Sequence, residues 1–425
     1  MNERGTVFPW HNRQMTPAGS IANRRYRQLA ALPGVASIRR PMTPGADERF
    51  DLHYVRTGPV SPTPSVIIPG GPGMASIGPY QGFRRRAAER GLDVIMVEHR
   101  GVGMSRRDDS GADLPSESLT ITAVLDDIAA VLDDTGVDTA VVYGASYGSY
   151  LAAGMGVRHR DRVHAMVLDS PLLNHNDFQV VRHACRELLW HDDSALAAKV
   201  RALTEAGAFG PADLTIAAGI YGIGGADLLG RHLDLLLDGR RLLWSAMRLV
   251  TVSVAHRKVL FHNESDLVAP IGFRELNFAG IPDGLPLDTT LTWRGVPAAA
   301  IGFEAEPFDL VAEMPGFGWP TVMVSGGRDL VTPTTVALRI AELVPASTMV
   351  SLPTAAHSIL DSQDEAALRI LAAVAGGRAE SLPAQADALD RLPADASVRL
   401  ARPALAAAAR LAAALPRFGV TRPIS

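Results

Sequence analysis

The run VVYGASYGSYLAAG at residues 141–154 narrows the possible folds more than any other stretch. An apolar, β-branched segment ends in Gly-Ala-Ser-Tyr-Gly, and small and apolar residues at helical spacing follow at once. A strand that passes into a helix through one serine must reverse tightly. Glycine is then needed at 144 and 148, because a Cβ at either position would meet the neighbouring strand or helix. Gly-x-Ser-x-Gly between a strand and a helix holds the serine hydroxyl out at the carboxyl end of a parallel sheet. An ordinary strand-to-helix connection can also contain a chance serine, so the rest of the chain must supply the sheet and the partners.

From residue 49 the pattern is regular. RFDLHYVRTG alternates as a half-buried strand, SVIIPGG is a short buried strand ending in glycines, and LDVIMVEHRG is another apolar run closed by a charged turn. PYQGFRRRAAERG, between the last two, predicts a helix stopped by Gly91. In LTITAVLDDIAAVLDDTG the apolar residues Val124, Leu125, Ile128, Val131 and Leu132 share one helical face, and Gly136 ends the helix. VHAMVLDSP, TVMVSGG and STMVSLP supply further strands, with helices over PTTVALRIAELVP and DEAALRILAAVAGG. Strands alternating with helices imply a mostly parallel sheet covered on both faces, an α/β fold.

The alternation stops at residue 171 and resumes near 318. The expected organisation is an N-terminal extension (1–48), an α/β core in two pieces (49–174 and 319–377), a mainly helical cap insertion (175–318) and a C-terminal helical extension (378–425), with a short helix in RPALAAAARLAAALPRFG packed on the core. No internal repeat at a fixed period is present.

With 425 residues, 47% of them hydrophobic, the chain can bury a large core. A net charge of −4 without blocks of like charge gives no footprint for nucleic acid, so a small peptide or another small molecule is the expected partner. Cys185 is the one cysteine and can form no internal disulfide, which is compatible with a cytoplasmic location. No stretch approaches 18 uninterrupted apolar residues, so no membrane span is expected, and the first residues lack the apolar run of a secretory signal. Seven arginines in residues 1–46 suggest a solvated extension packed on the core.

A serine hydroxyl is a poor nucleophile at neutral pH and needs a base, and the base needs an acid to orient it. Ser146 is followed in chain order by Asp329, directly after a buried strand, and by His357, after the next strand. The three residues fall at ends of strands, where side chains can converge. Asp169, at the end of VHAMVLD, is an alternative acid with a structural role as its plainer reading. Acyl transfer also needs donors for a developing oxyanion. The glycine loop of VIIPGGPGMAS offers the Gly71 N–H, or that of Gly70, to act with the N–H of Tyr147. The loop lacks the lysine and spacing of a phosphate-binding loop. Ser105 is expected to brace its own loop, and His99, His159 and His164 to lie on surfaces or loops, with no pair spaced as zinc ligands.

GGPG at 70–73, EHRGVGMS at 98–105, GASYGS at 144–149, the Asp329 turn and His357 together resemble the α/β-hydrolase fold, and within it the proline iminopeptidase and tripeptidyl aminopeptidase-like serine peptidases. The likeness runs from about residue 50 to 375. It departs from the family pattern at Pro69, Glu98-His99, Tyr147 and Ala356. The resemblance implies an aminopeptidase that removes N-terminal residues through an acyl-enzyme, without metal or organic cofactor. It also implies acidic cap residues that hold the substrate's α-amine, for which VLFHNESD offers Glu264 and IGFEAEPFD offers Glu304 and Glu306. A cation leaving water demands such a carboxylate. An esterase or lactonase with the same triad is the alternative, and a catalytically silent ligand-binding protein is a third reading.

Overall fold

Eight extended segments of the chain assemble into one sheet in the computed structural model, which describes residues 17–255, 258–293 and 295–415. They are β1 (Val35–Pro41), β2 (Arg49–Thr57), β3 (Ser65–Ile68), β4 (Val94–Val97), β5 (Ala140–Ala145), β6 (Val163–Asp169), β7 (Thr321–Gly326) and β8 (Ser347–Leu352). Their order is β1-β2-β4-β3-β5-β6-β7-β8. β2 runs antiparallel to both its neighbours, and every later pairing is parallel. Every residue of β3, β4, β5 and β7 is buried. That follows from parallel pairing, since the crossover helices cover both faces.

Helix Ile121–Asp134 shows how sequence sets these covers. Its five apolar positions named above are all buried, the Thr120 side chain accepts the Ala123 N–H at its start, and Gly136 takes φ +65° just beyond its end. Arg100 joins this helix to the sheet, with its guanidinium bidentate on the fully buried carboxylate of Asp127 at 2.7 and 2.8 Å. The β3–β5 register runs from Ser65 opposite Val141 to Ile68 opposite Gly144. The glycine loop after β3 therefore starts level with the serine turn after β5.

Two terminal segments differ from the sequence reading. Residues 35–41 of the N-terminal extension form β1, an edge strand, and Leu29 of helix Pro17–Ala30 enters the core beside Ile67 and Tyr80. The strand shows no clean alternation because Arg39 and Arg40 point to acids, Asp51 and Asp109 for the first and Asp127 for the second. At the other end, helix Ala396–Ala414 is longer than expected and lies on the helical insertion, where Leu405 and Ala406 join the apolar cluster of Leu203, Ala217 and Leu233. Only Ala409 of that helix is buried, too little apolar area to seat it in the main core.

Between β6 and β7 the described residues form five helices of eight or more residues: Asp177–Arg186, Ala195–Glu205, Pro211–Leu237, Leu242–Ala255 and Ser265–Leu276. Helix Pro211–Leu237 breaks at Gly225, where φ is 70° and ψ is −165°. No helix among the described residues is long and apolar enough to cross a membrane.

Candidate active site

The turn after β5 is as tight as its sequence requires. Ser146 has φ 53° and ψ −123°, a conformation that costs a non-glycine residue about 1–3 kcal/mol. A Cβ on Gly144 would lie 2.1 Å from the Gly148 carbonyl oxygen, and one on Gly148 would lie 2.3 Å from that of Ile68. The two glycines thus let the helix start directly beside the end of β3. The Ser146 N–H donates to the Asp169 carbonyl at 2.8 Å and the Ser149 hydroxyl to the Ser146 carbonyl at 2.5 Å, which fix the turn from both sides.

Three side chains converge above it. Ser146 Oγ lies 2.9 Å from His357 Nε2, and His357 Nδ1 lies 2.8 Å from Asp329 Oδ2. Asp329 is 4% exposed, and its other oxygen accepts the N–H groups of Val331 (2.8 Å) and Thr332 (2.9 Å). Burial alone would raise its pKa, but the imidazole and these N–H groups outweigh burial and hold it below the usual carboxylate range. For His357 burial opposes the imidazolium, yet the facing Asp329 carboxylate wins and the pKa is raised.

Thr332 is a member of this cluster that sequence reasoning missed. Its hydroxyl donates to Asp329 Oδ2 at 2.9 Å and lies 3.2 Å from His357 Nδ1. Its signal was there in DLVTP, where a threonine three residues after an acid can return to that side chain.

Asp169 is placed otherwise than as a triad acid. It is fully buried and accepts the Tyr143 hydroxyl at 2.9 Å and the N–H groups of Ile359 and Leu360 at 3.1 and 3.0 Å. It thereby anchors the chain just after His357. Burial pushes its pKa up to about 6 against these donors.

The glycine loop sits against the serine. A Cβ on Gly70 would lie 3.3 Å from the Ser146 Cβ, and Gly71 has φ +138°, where side chains strain. Among the described residues neither the Gly71 nor the Tyr147 N–H has a backbone acceptor. Glu98, fully buried, fastens the following residues by accepting the N–H groups of Ser76 (2.6 Å), Ile77 (3.0 Å) and Met104 (3.2 Å). Arg84 grips the same stretch by donating to the carbonyls of Ser76 and Ile77 at 2.8 and 2.7 Å. Ser105 braces its loop as expected, its hydroxyl accepting the His53 N–H at 2.8 Å.

The three glutamates of the insertion have different surroundings. Glu264 is 1% exposed, with one oxygen accepting the Phe261 N–H at 2.7 Å and the other paired to Arg106 at 3.1 Å. Glu304 is exposed. Glu306 lies over the serine helix, accepting the Tyr150 hydroxyl at 3.0 Å and contacting His175 Nδ1 at 2.6 Å. His99 lies in the loop after β4, one of its two expected placements, but not on the surface. It is buried without a hydrogen-bond partner on either ring nitrogen among the described residues, and burial drops its pKa to about 4, so it stays neutral.

A family model described as alpha/beta hydrolase fold matches residues 64–193. The putative carbamate hydrolase RutD of Caulobacter sp. (strain K31) is 28% identical over 116 residues, 27% of this chain and 40% of that protein, so the chain matches less than half the length of this relative. Among solved structures, the proline iminopeptidase of Mycobacterium smegmatis superposes with a TM-score of 0.50 at 18% identity, over 81% of this chain and 99% of that one. An esterase from Exiguobacterium antarcticum gives 0.44 at 14% identity, over 77% and 96% of the two chains. With the sheet order, the family match and the first of these structures show that the chain has the α/β-hydrolase fold, with a helical insertion after β6.

Proposed function

We propose that this protein is a serine hydrolase acting through an acyl-enzyme on Ser146, and that its substrates are peptides from which it releases N-terminal residues. The observation that carries the chemistry is the continuous relay from Ser146 Oγ through His357 to Asp329, at 2.9 and 2.8 Å. Ser146 Oγ forms a bond to the substrate carbonyl carbon while its proton passes to His357 Nε2. The oxyanion is met by the N–H groups of Gly71 and Tyr147. As the tetrahedral intermediate collapses the C–N bond breaks, and the imidazolium gives its proton to the leaving amine. Water, deprotonated by the same imidazole, then releases the acid and restores the serine. Asp329 keeps Nδ1 protonated throughout, and Thr332 keeps Asp329 in place.

The aminopeptidase reading rests on the GGPG and HRGVGMS loops and on Glu306, the insertion carboxylate that contacts the serine helix through Tyr150. A second reading, an esterase or lactonase, is favoured by Glu264, which is 1% exposed and has both oxygens engaged, one by the Phe261 N–H and the other by Arg106, rather than open to a substrate amine. Alanyl and prolyl p-nitroanilides, their N-acetylated forms and p-nitrophenyl butyrate separate the two. An aminopeptidase loses most of its kcat/KM on acetylation, whereas an esterase prefers the butyrate and ignores the amine. Ser146→Ala abolishes both, and an unchanged rate in that variant would refute the serine mechanism itself.

A further inference from the structure

The insertion is joined to the main body at the glycine loop that faces the serine. Residues 259–263 form a tight turn closed by N–H to carbonyl bonds in both directions between Val259 and Asn263, each 2.9 Å. The outer side of this turn pairs with the loop. The Ala75 N–H donates to the His262 carbonyl and the Glu264 N–H to the Gly73 carbonyl, both at 2.9 Å, with Met74 bridged antiparallel to Asn263. The fit admits no side chain at 73, since a Cβ there would lie 2.6 Å from the Ser265 nitrogen.

The Glu264 side chain closes this join. One oxygen holds the Phe261 N–H inside the turn, where Phe261 takes φ 59°, and the other meets Arg106, which also binds Asp266 and Asp113. Met74 is three residues from Gly71, and the residues beyond it are already held by Glu98 and Arg84. The loop is therefore clamped from the body on one side and from the insertion on the other.

We infer that Glu264 is a positioning residue for the oxyanion-binding loop, and that it acts by locking the insertion turn 259–264 onto residues 73–75 rather than by holding a substrate amine. The inference rests on the serine-hydrolase reading, because it assumes that Gly71 serves an oxyanion. A carboxylate is needed because it must accept from a backbone N–H and a guanidinium at once, and an amide can present an oxygen to only one of them. In the variant Glu264→Gln one of the two contacts becomes donor against donor, the turn loosens and the Gly71 N–H shifts from its aim. A displacement of this kind affects the transition state more than the bound substrate.

The test measures kcat and KM of Glu264→Gln for alanyl p-nitroanilide, its N-acetylated form and p-nitrophenyl butyrate, together with inhibition by phenylboronic acid, which forms a tetrahedral adduct on the serine. The expected result is a kcat loss on the order of 10- to 100-fold on every substrate that wild type turns over, with KM within about twofold and weaker phenylboronate inhibition. A rise in KM confined to the free amine would overturn the inference in favour of amine binding. Unchanged kcat and inhibition would overturn it outright. The conservative variant Glu264→Asp, which keeps the charge on a shorter stem, restores part of the kcat if the clamp is the cause, and a thermal melt confirms that each variant folds. Ser146→Ala tells the two levels apart. If it keeps activity the hydrolase reading fails, and if it loses activity while Glu264→Gln is normal only the positioning role fails.

Discussion

Replacing Asp329 by Asn tests the relay at the point where geometry predicts the most from the least change in shape. Asn fills nearly the same volume, and its oxygen can keep the N–H groups of Val331 and Thr332 that now bind Oδ1. Its NH2 then occupies the Oδ2 position, 2.8 Å from His357 Nδ1. A donor there forces the imidazole into the tautomer with hydrogen on Nε2, which points a proton at Ser146 Oγ and cannot accept one. In serine enzymes this error costs about 10⁴-fold in kcat, or about 5.5 kcal/mol at 1.36 kcal/mol per decade. Removing the carboxylate also leaves burial at His357 opposed only by the weaker pull of Asp169 and Asp361, whereas Asp329 is the largest influence raising its pKa in the native protein. The pKa falls, and the acid limb of kcat/KM moves to lower pH. Hydrolysis of p-nitrophenyl butyrate between about pH 5 and pH 9 reads both effects, with fluorophosphonate titration to count competent sites. A variant keeping more than about a tenth of wild-type kcat, with its acid limb unmoved, would refute the assignment of Asp329 as the orienting acid.

Asp169 yields a stability prediction whose sign follows from its raised pKa of about 6. The folded state binds a proton that the unfolded state has released between about pH 4 and pH 6, so this carboxyl makes stability fall as pH rises through that window. Urea unfolding of wild type and Asp169→Asn across the window should show the extra downward slope only in wild type; equal slopes would contradict it. Gly148→Ala places a methyl 2.3 Å from the Ile68 carbonyl oxygen. Overpacking of this kind costs about 1–3 kcal/mol or more, so a drop in melting temperature of several degrees with lost activity is expected by calorimetry. Asp127→Asn leaves the buried Arg100 guanidinium short of its counter-charge, and a loss of about 3–5 kcal/mol in denaturant titration is the expected outcome.

What the sequence made legible was whatever local chemistry dictates. The covers of helix Ile121–Asp134, the strands that end at Ser146 and before Asp329 and His357, and the helical nature of the insertion all follow from period, caps and breakers. β1 was not legible, because an edge strand whose arginines reach to Asp51, Asp109 and Asp127 has no apolar rhythm. The burial of His99 and of Glu264 was not legible either. Their flanking charges suggest solvent, and only the long-range neighbours, such as Arg106 against Glu264, reveal burial. Thr332 was legible in principle, since its contact with Asp329 spans three residues.

The break in helix Pro211–Leu237 has a consequence for how such a protein can be altered. Gly222 passes so close to the loop before the imidazole that a Cβ on it would lie 3.1 Å from that of Ala356, and Gly225 rests on the guanidinium of Arg328, the residue before Asp329. The insertion therefore meets both loops through its own glycines, one against the small Ala356 and the other against the Arg328 side chain. A chimera that received this insertion from another chain would have to bring matching small residues with it, or spread the loops that carry the acid and the base. Recombination that swaps the insertion should therefore keep it together with the loops that carry Arg328 and Ala356.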